Sequence, residues 1–189
     1  MAKKTEKQYF DLWQEFRDNI NKATPVNLQE SKSDQLKRVS DLEKDVEAWF
    51  KYYFPNFYTS EPAPFHKTAT RRILKNDEWF EVRAWSRELA KSARTMMEVL
   101  FLTITGKKRN VIMVSATASD AERLLLPYKS ILESNNRIIH DYGVQESLGN
   151  WSAEEFITKK GVAFRAIGAG QSPRGTRNEE VRPDVILID

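Results

Sequence analysis

Between Trp79 and Ile104 the sequence changes its period. Trp79–Ala84 alternates apolar and charged side chains, the two-residue repeat of a strand. Ala93, Met96, Met97, Leu100, Phe101 and Ile104 then fall on one stripe of a helix ending near Gly106. The stretch FEVRAWSRELAKS across the change predicts an extended run, a tight turn, and a helix opening at Lys91-Ser92. A strand that feeds directly into an apolar-faced helix commits the chain to α/β packing.

The flanking sequence extends this pattern. Residues 4–22 place Tyr9, Trp13, Phe16 and Ile20 at helical spacing, and Pro25 ends that helix. A second helix fits Ser33–Tyr53, with Leu36, Val39, Leu42, Val46, Trp49, Phe50 and Tyr53 on one stripe and Pro55 closing it. The pair predicts a helical hairpin or a surface for docking on a partner. YTSEPAP is a linker by composition. The expected organisation is a helical segment over 1–57, a linker over 58–64 and a second unit over 65–189. PFHKTATRRILKN predicts a short helix whose Lys67, Arg71, Arg72 and Lys75 form a basic face, either solvated or in contact with DNA. His66 reads as a capping or packing residue rather than a ligand.

NVIMVS at 110–115 is apolar without alternation, as in a fully buried strand. Thr117, Ser119 and Asp120 offer N-cap oxygens to a helix carrying Ala121, Leu124, Leu125, Tyr128 and Leu132, with Pro127 predicting a kink or break. Arg137–Asp141 reads as a strand, and Glu155–Ile167 as a hairpin turning at Lys160-Gly161. GAGQSPRGTRNEEVRP is a polar, arginine-rich loop leading into a buried strand over Val185–Asp189. The alternation predicts an α/β fold with a mainly parallel sheet and crossover helices.

Composition excludes several classes. Thirty Lys and Arg against 27 Asp and Glu leave +3, too mild a balance to argue for nucleic acid by itself. No cysteine is present, so disulfides and thiolate metal sites are excluded, and two histidines make a histidine metal site an unattractive reading. No apolar run approaches the ~18 residues of a membrane span, and MAKKTEKQYF lacks a signal-peptide core. The expectation is a soluble intracellular protein. The apolar run RPDVILID ends the sequence inside what reads as a core strand, the pattern expected of a truncated chain.

The chemistry follows from the turn. Backbone amides at a helix N-terminus converge on anionic oxygens with the helix dipole behind them. In a phosphate-binding loop a lysine then reaches the β and γ phosphates, and the next Ser or Thr hydroxyl meets Mg²⁺. Lys91 and Ser92 stand where those roles require. The standard glycines are replaced by Trp85 and Ala90; alanine keeps close backbone approach open, and tryptophan departs fully. The plain alternative is an ordinary strand-to-helix turn. Asp189 ends an apolar strand, as does the Mg²⁺-orienting aspartate of ATPases.

WSRELAKSA, VIMVSATASDAERLL and GAGQSPRGTRNEEVRPDVILID together resemble the ATPase domain of the large terminase subunit of tailed bacteriophages, over roughly 62–189. The resemblance implies a P-loop NTPase, with a strand inserted between the two motif strands, and ATP with Mg²⁺ as cofactors. It implies that Ser86, Arg87, Glu88, Leu89, Ala90, Lys91 and Ser92 hold the ATP phosphates, and that Ser92 and Asp189 serve Mg²⁺. Arg87 and Arg174 are candidate arginine fingers, Arg174 acting in trans from its loop. Val114–Thr117 resembles the nucleic-acid-facing motif of helicase-like ATPases. The implied function is ATP-driven translocation of double-stranded DNA into a procapsid, by a homo-oligomeric ring on the portal. A small terminase partner and a location in the bacterial host cytoplasm go with it. On the same resemblance the catalytic glutamate and nuclease domain lie beyond Asp189, so this chain alone is expected not to turn ATP over. The rivals are a helicase-like ATPase and a non-catalytic DNA-binding or assembly module.

Overall fold

The structure is a computed structural model that describes residues 6–171 and 180–189. Three helices come first: α1 (Glu6–Ala23), α2 (Lys32–Lys44) and α3 (Val46–Tyr53). The second and third replace the single helix expected over 33–53. Asp45 makes the break: its N–H closes α2 onto the Leu42 carbonyl, and its carboxylate caps α3 by accepting from the Glu47 and Ala48 amides. Trp49, Phe50 and Tyr53 of α3 are fully buried.

After α4 (Pro64–Lys75) comes α5 (Lys91–Ile104), then β1 (Asn110–Ser115), α6 (Ala118–Ser134) and α7 (Asn136–Tyr142). The remaining strands are β2 (Glu146–Trp151), β3 (Glu155–Thr158), β4 (Ala163–Gly168) and β5 (Val185–Ile188). One core joins these pieces. The Trp49 ring meets Phe101 of α5 edge-on at 5.0 Å, and Phe156 stacks on Phe164 at 4.7 Å. α1 packs on α6, and α6 covers β1 and β4.

The sheet overturns the expectation of a mainly parallel P-loop NTPase fold. Its order is β2-β3-β4-β1-β5; β1 runs parallel to β4 and β5, while β2–β3 and β3–β4 are antiparallel. The sheet is therefore mixed. The cause is local: tight turns join β2 to β3 and β3 to β4, and such turns can only link antiparallel neighbours. The second is the expected turn at Lys160-Gly161, where Gly161 takes φ +77°.

Two other expected strands are absent among the described residues. Arg137–Asp141 lies in α7, because Asn135 caps it by accepting from the Ile138 amide and Gly143 ends it. Trp79–Ala84 belongs to no strand, with Phe80 and Val82 exposed. Pro127 sits inside an unbroken α6. No described helix is long and apolar enough to cross a membrane.

The helical segment is fastened to α7 by a buried carboxylate. Asp141 accepts from Arg38 at 2.7 Å, from the Tyr53 hydroxyl at 2.7 Å and from Gln35 at 3.0 Å. Burial alone lifts this carboxyl, but those bonds, with His140, hold it down at about 2. A folded value below the ordinary 3.8 contributes stability that is complete above pH 4 and is lost as pH falls toward 2. Urea titrations should therefore show the unfolding midpoint dropping between pH 4 and pH 2, and an Asp141→Asn variant should lose part of that dependence. A midpoint equally pH-dependent in both proteins would contradict this.

Candidate functional site

The turn before α5 is built by backbone strain and aromatic packing. Glu88 and Ala90 have φ +69° and +53°, left-handed conformations that side-chain-bearing residues adopt rarely. They let residues 87–89 turn directly into Lys91, the first residue of α5. Arg94 N–H donates to the Ala90 carbonyl at 2.8 Å, closing the first helical turn on the loop.

Trp85, where a standard phosphate-binding loop has glycine, is a wedge. Its ring meets Phe65 at 5.1 Å and His66 at 5.0 Å, both edge-on, with the Arg83 guanidinium 5.0 Å over it. His66 fastens the far side. The Ala63 amide donates to its Nδ1 at 3.1 Å, so Nε2 carries the proton and donates to the Leu89 carbonyl at 2.9 Å. The expected capping role of His66 is thus joined by a hold on the loop.

Beneath the loop lies a charged network that sequence reasoning missed. Glu98, buried on α5, is ion-paired with Arg83 at 2.7 Å and receives the Thr70 hydroxyl of α4. Arg94, also buried, donates to Thr70 at 2.9 Å and forks onto Glu47 of α3. Burial pushes the Glu98 carboxyl up, opposed by Arg83, Thr70 and Arg94. Arg83 further donates to Glu81 at 2.6 Å and to Thr95 at 2.9 Å, which anchors the unpaired segment before the loop. The sequence signal was Arg94 and Glu98 at i, i+4 within an otherwise apolar stripe.

The expected site residues divide into three groups. Ser86, Arg87, Glu88, Leu89, Ala90, Lys91 and Ser92 come together as one exposed loop and helix start. No side chain caps α5 and no acid occupies its first turn, so its leading amides stay open to an anion. Asp189 is exposed, with its amide donating to the Val114 carbonyl at 3.0 Å beyond the end of β5. Residues 105–109 return the chain from α5 to β1, and β1, β4 and β5 finish at one end of the sheet, which Asp189 follows. Lys91 and Ser92 open α5. Arg174 lies outside the described residues. Thr117 is engaged in capping α6, accepting from the Asp120 amide at 3.1 Å.

The donor set for a divalent cation is thin. Among the described residues no three carboxylates or histidines gather. One hydroxyl and one carboxylate suit Mg²⁺, which keeps several waters and draws further ligands from phosphates, and do not suit a cation that needs an all-protein cage. Two small hollows, one by Ile20, Tyr53 and Ile131 and one by Thr103, Leu132 and Phe164, are lined by no residue of the loop. Comparison with family models, with curated proteins and with solved structures returns no match to this chain.

Proposed function

We propose that this chain is the nucleotide-binding portion of a viral DNA-packaging ATPase of the large terminase type. The observation that carries the reading is the loop itself: two left-handed residues and an uncapped helix start that present Lys91 and Ser92 to solvent. Asp189, just past β5 where β1 also finishes, is the residue we assign to the second half of the site. The open amides of the first turn of α5 bind phosphate oxygens, and Lys91 neutralises charge on the β and γ groups. Ser92 and Asp189 would hold Mg²⁺, which when bound supplies charge neutralisation across the phosphates. Arg87 and Arg174 are the two candidates for stabilising charge on the transferred group. Duplex DNA, a small terminase subunit and a procapsid portal in the host cytoplasm are the partners that follow from the reading, with a ring of copies as the working assembly.

The test is a calorimetric titration with Mg-ATP. Lys91→Ala should weaken binding by about tenfold to a hundredfold, the loss of one charge-assisted contact. Lys91 is exposed, so the fold should be unaffected. Equal affinity in the two proteins would overturn the reading.

A further inference from the structure

We infer that the outer face of α4 is a binding surface for the phosphodiester backbone of duplex nucleic acid. The helix has two unlike sides. Its inner side is committed: Ala69 and Thr70 are buried, Leu74 packs on the core, and His66 holds the Leu89 carbonyl. Its outer side is Lys67, Arg71, Arg72 and Lys75, all exposed.

What sets this face apart is four cations on one helix with no counter-charge. Some exposed cations elsewhere sit beside an acid on their own helix, as Lys44 does with Asp41 and Arg123 with Asp120. None of the described ion pairs involves the four cations of α4. PFHKTATRRILK contains no acid, and α4 is alone among the described helices in this. A chain of only +3 thus concentrates unpaired positive charge on one helix face.

The geometry selects the partner. Lys67, Arg71 and Lys75 follow at i, i+4 and i+8 and span about 12 Å of helix axis. That length covers about three phosphates of one strand in a duplex. Phe65, 39% exposed and in contact with Trp85, is the only large apolar side chain that α4 exposes, too little to seat a helix in a lipid surface, so a regular polyanion fits better than a membrane. With only long cations and Thr68, the face holds a backbone and does not read sequence.

The choice of duplex DNA rests on the packaging reading, but the site is separate from the loop and is assayed without nucleotide. Fluorescence anisotropy with a 30-base-pair duplex should give binding whose logarithm falls with log salt at a slope of about −3.6 if all four cations take part. The triple variant Lys67→Ala/Arg71→Ala/Lys75→Ala should bind at least ~10-fold more weakly and with a slope shallower by about 3. Arg71→Glu alone should weaken binding in the same direction, which keeps the test intact if the triple variant folds poorly. A control triple at exposed Lys22, Lys44 and Lys159 should change neither quantity, and Lys91→Ala should retain duplex binding while its ATP affinity falls. Unchanged affinity and slope in the α4 variants would overturn the inference. So would capture of the protein by phosphatidylserine vesicles with no binding to the duplex.

Discussion

Replacing Glu98 by alanine is expected to lower folding stability by about 4 kcal/mol and the melting temperature by roughly 10 °C. The carboxylate is the shared partner of buried Arg94, of half-buried Arg83 and of the buried Thr70 hydroxyl. Removing it leaves Arg83 and Arg94 with only Glu81 and Glu47 as acidic partners and takes the acceptor from the Thr70 hydroxyl, which costs more than the net worth of either ion pair. Glu98→Gln, which keeps an acceptor for Thr70, should fall between wild type and alanine. A double replacement, Arg83→Met with Glu98→Leu, should recover part of the loss, because apolar packing of similar volume removes the uncompensated charge. Differential scanning calorimetry decides it: a Glu98→Ala change below about 1 kcal/mol would mean that the network is solvated and inert.

Gly168→Ala is expected to be nearly as damaging, at about 3 kcal/mol. A Cβ at this position would lie 2.6 Å from the Ala118 amide nitrogen and 3.0 Å from the Thr117 carbonyl carbon. Those are backbone atoms at the start of α6, and they cannot rotate away as a side-chain tip would. Relief requires β4 to move off α6, which would disturb the register of β4 against β1 and the Ala169 amide's bond to the Ser115 carbonyl. Gly170 is the internal control. It takes φ +90° with open space around it, so alanine there carries only backbone strain, about 1 kcal/mol. Chemical denaturation of the two variants should rank Gly168→Ala well below Gly170→Ala. The reverse order would show that β4 and α6 are not in rigid contact.

How far the sequence could be read depended on burial. The stripe of α5 and the apolar run of β1 were legible because they are buried and burial imposes a pattern, and the turn at Lys160-Gly161 because glycine takes the φ of +77° it needs. β2 was not, because ESLGNW is an exposed edge strand with Leu148 wholly in solvent. Missing it concealed the antiparallel half of the sheet. α7 was misread for a related reason: Ile138 and Ile139 favour a strand, and the Asn135 cap and Gly143 stop decided otherwise. At the site, the change of period announced that Lys91 opens a helix. The support beneath it stayed hidden, since Glu47, Thr70, Arg83 and Glu98 are brought together only by the fold.

β5 ends the sheet, and its far edge hydrogen-bonds to no described strand. Val185 and Leu187 face the core while Ile186 and Ile188 are 59% and 78% exposed. A flat, uncharged row of aliphatic residues with free amides is a template on which a second chain can add itself. What restrains it here is its punctuation. Pro183 and Asp184 stand before the run and Asp189 after it, the charged and ring-locked flanks that act as gatekeepers of aggregation-prone segments. Asp184 has a second duty, since its carboxylate accepts from the Arg109 and Asn110 amides at 2.8 Å each. The residue that seats β5 beside β1 is also one that limits its stacking into filaments.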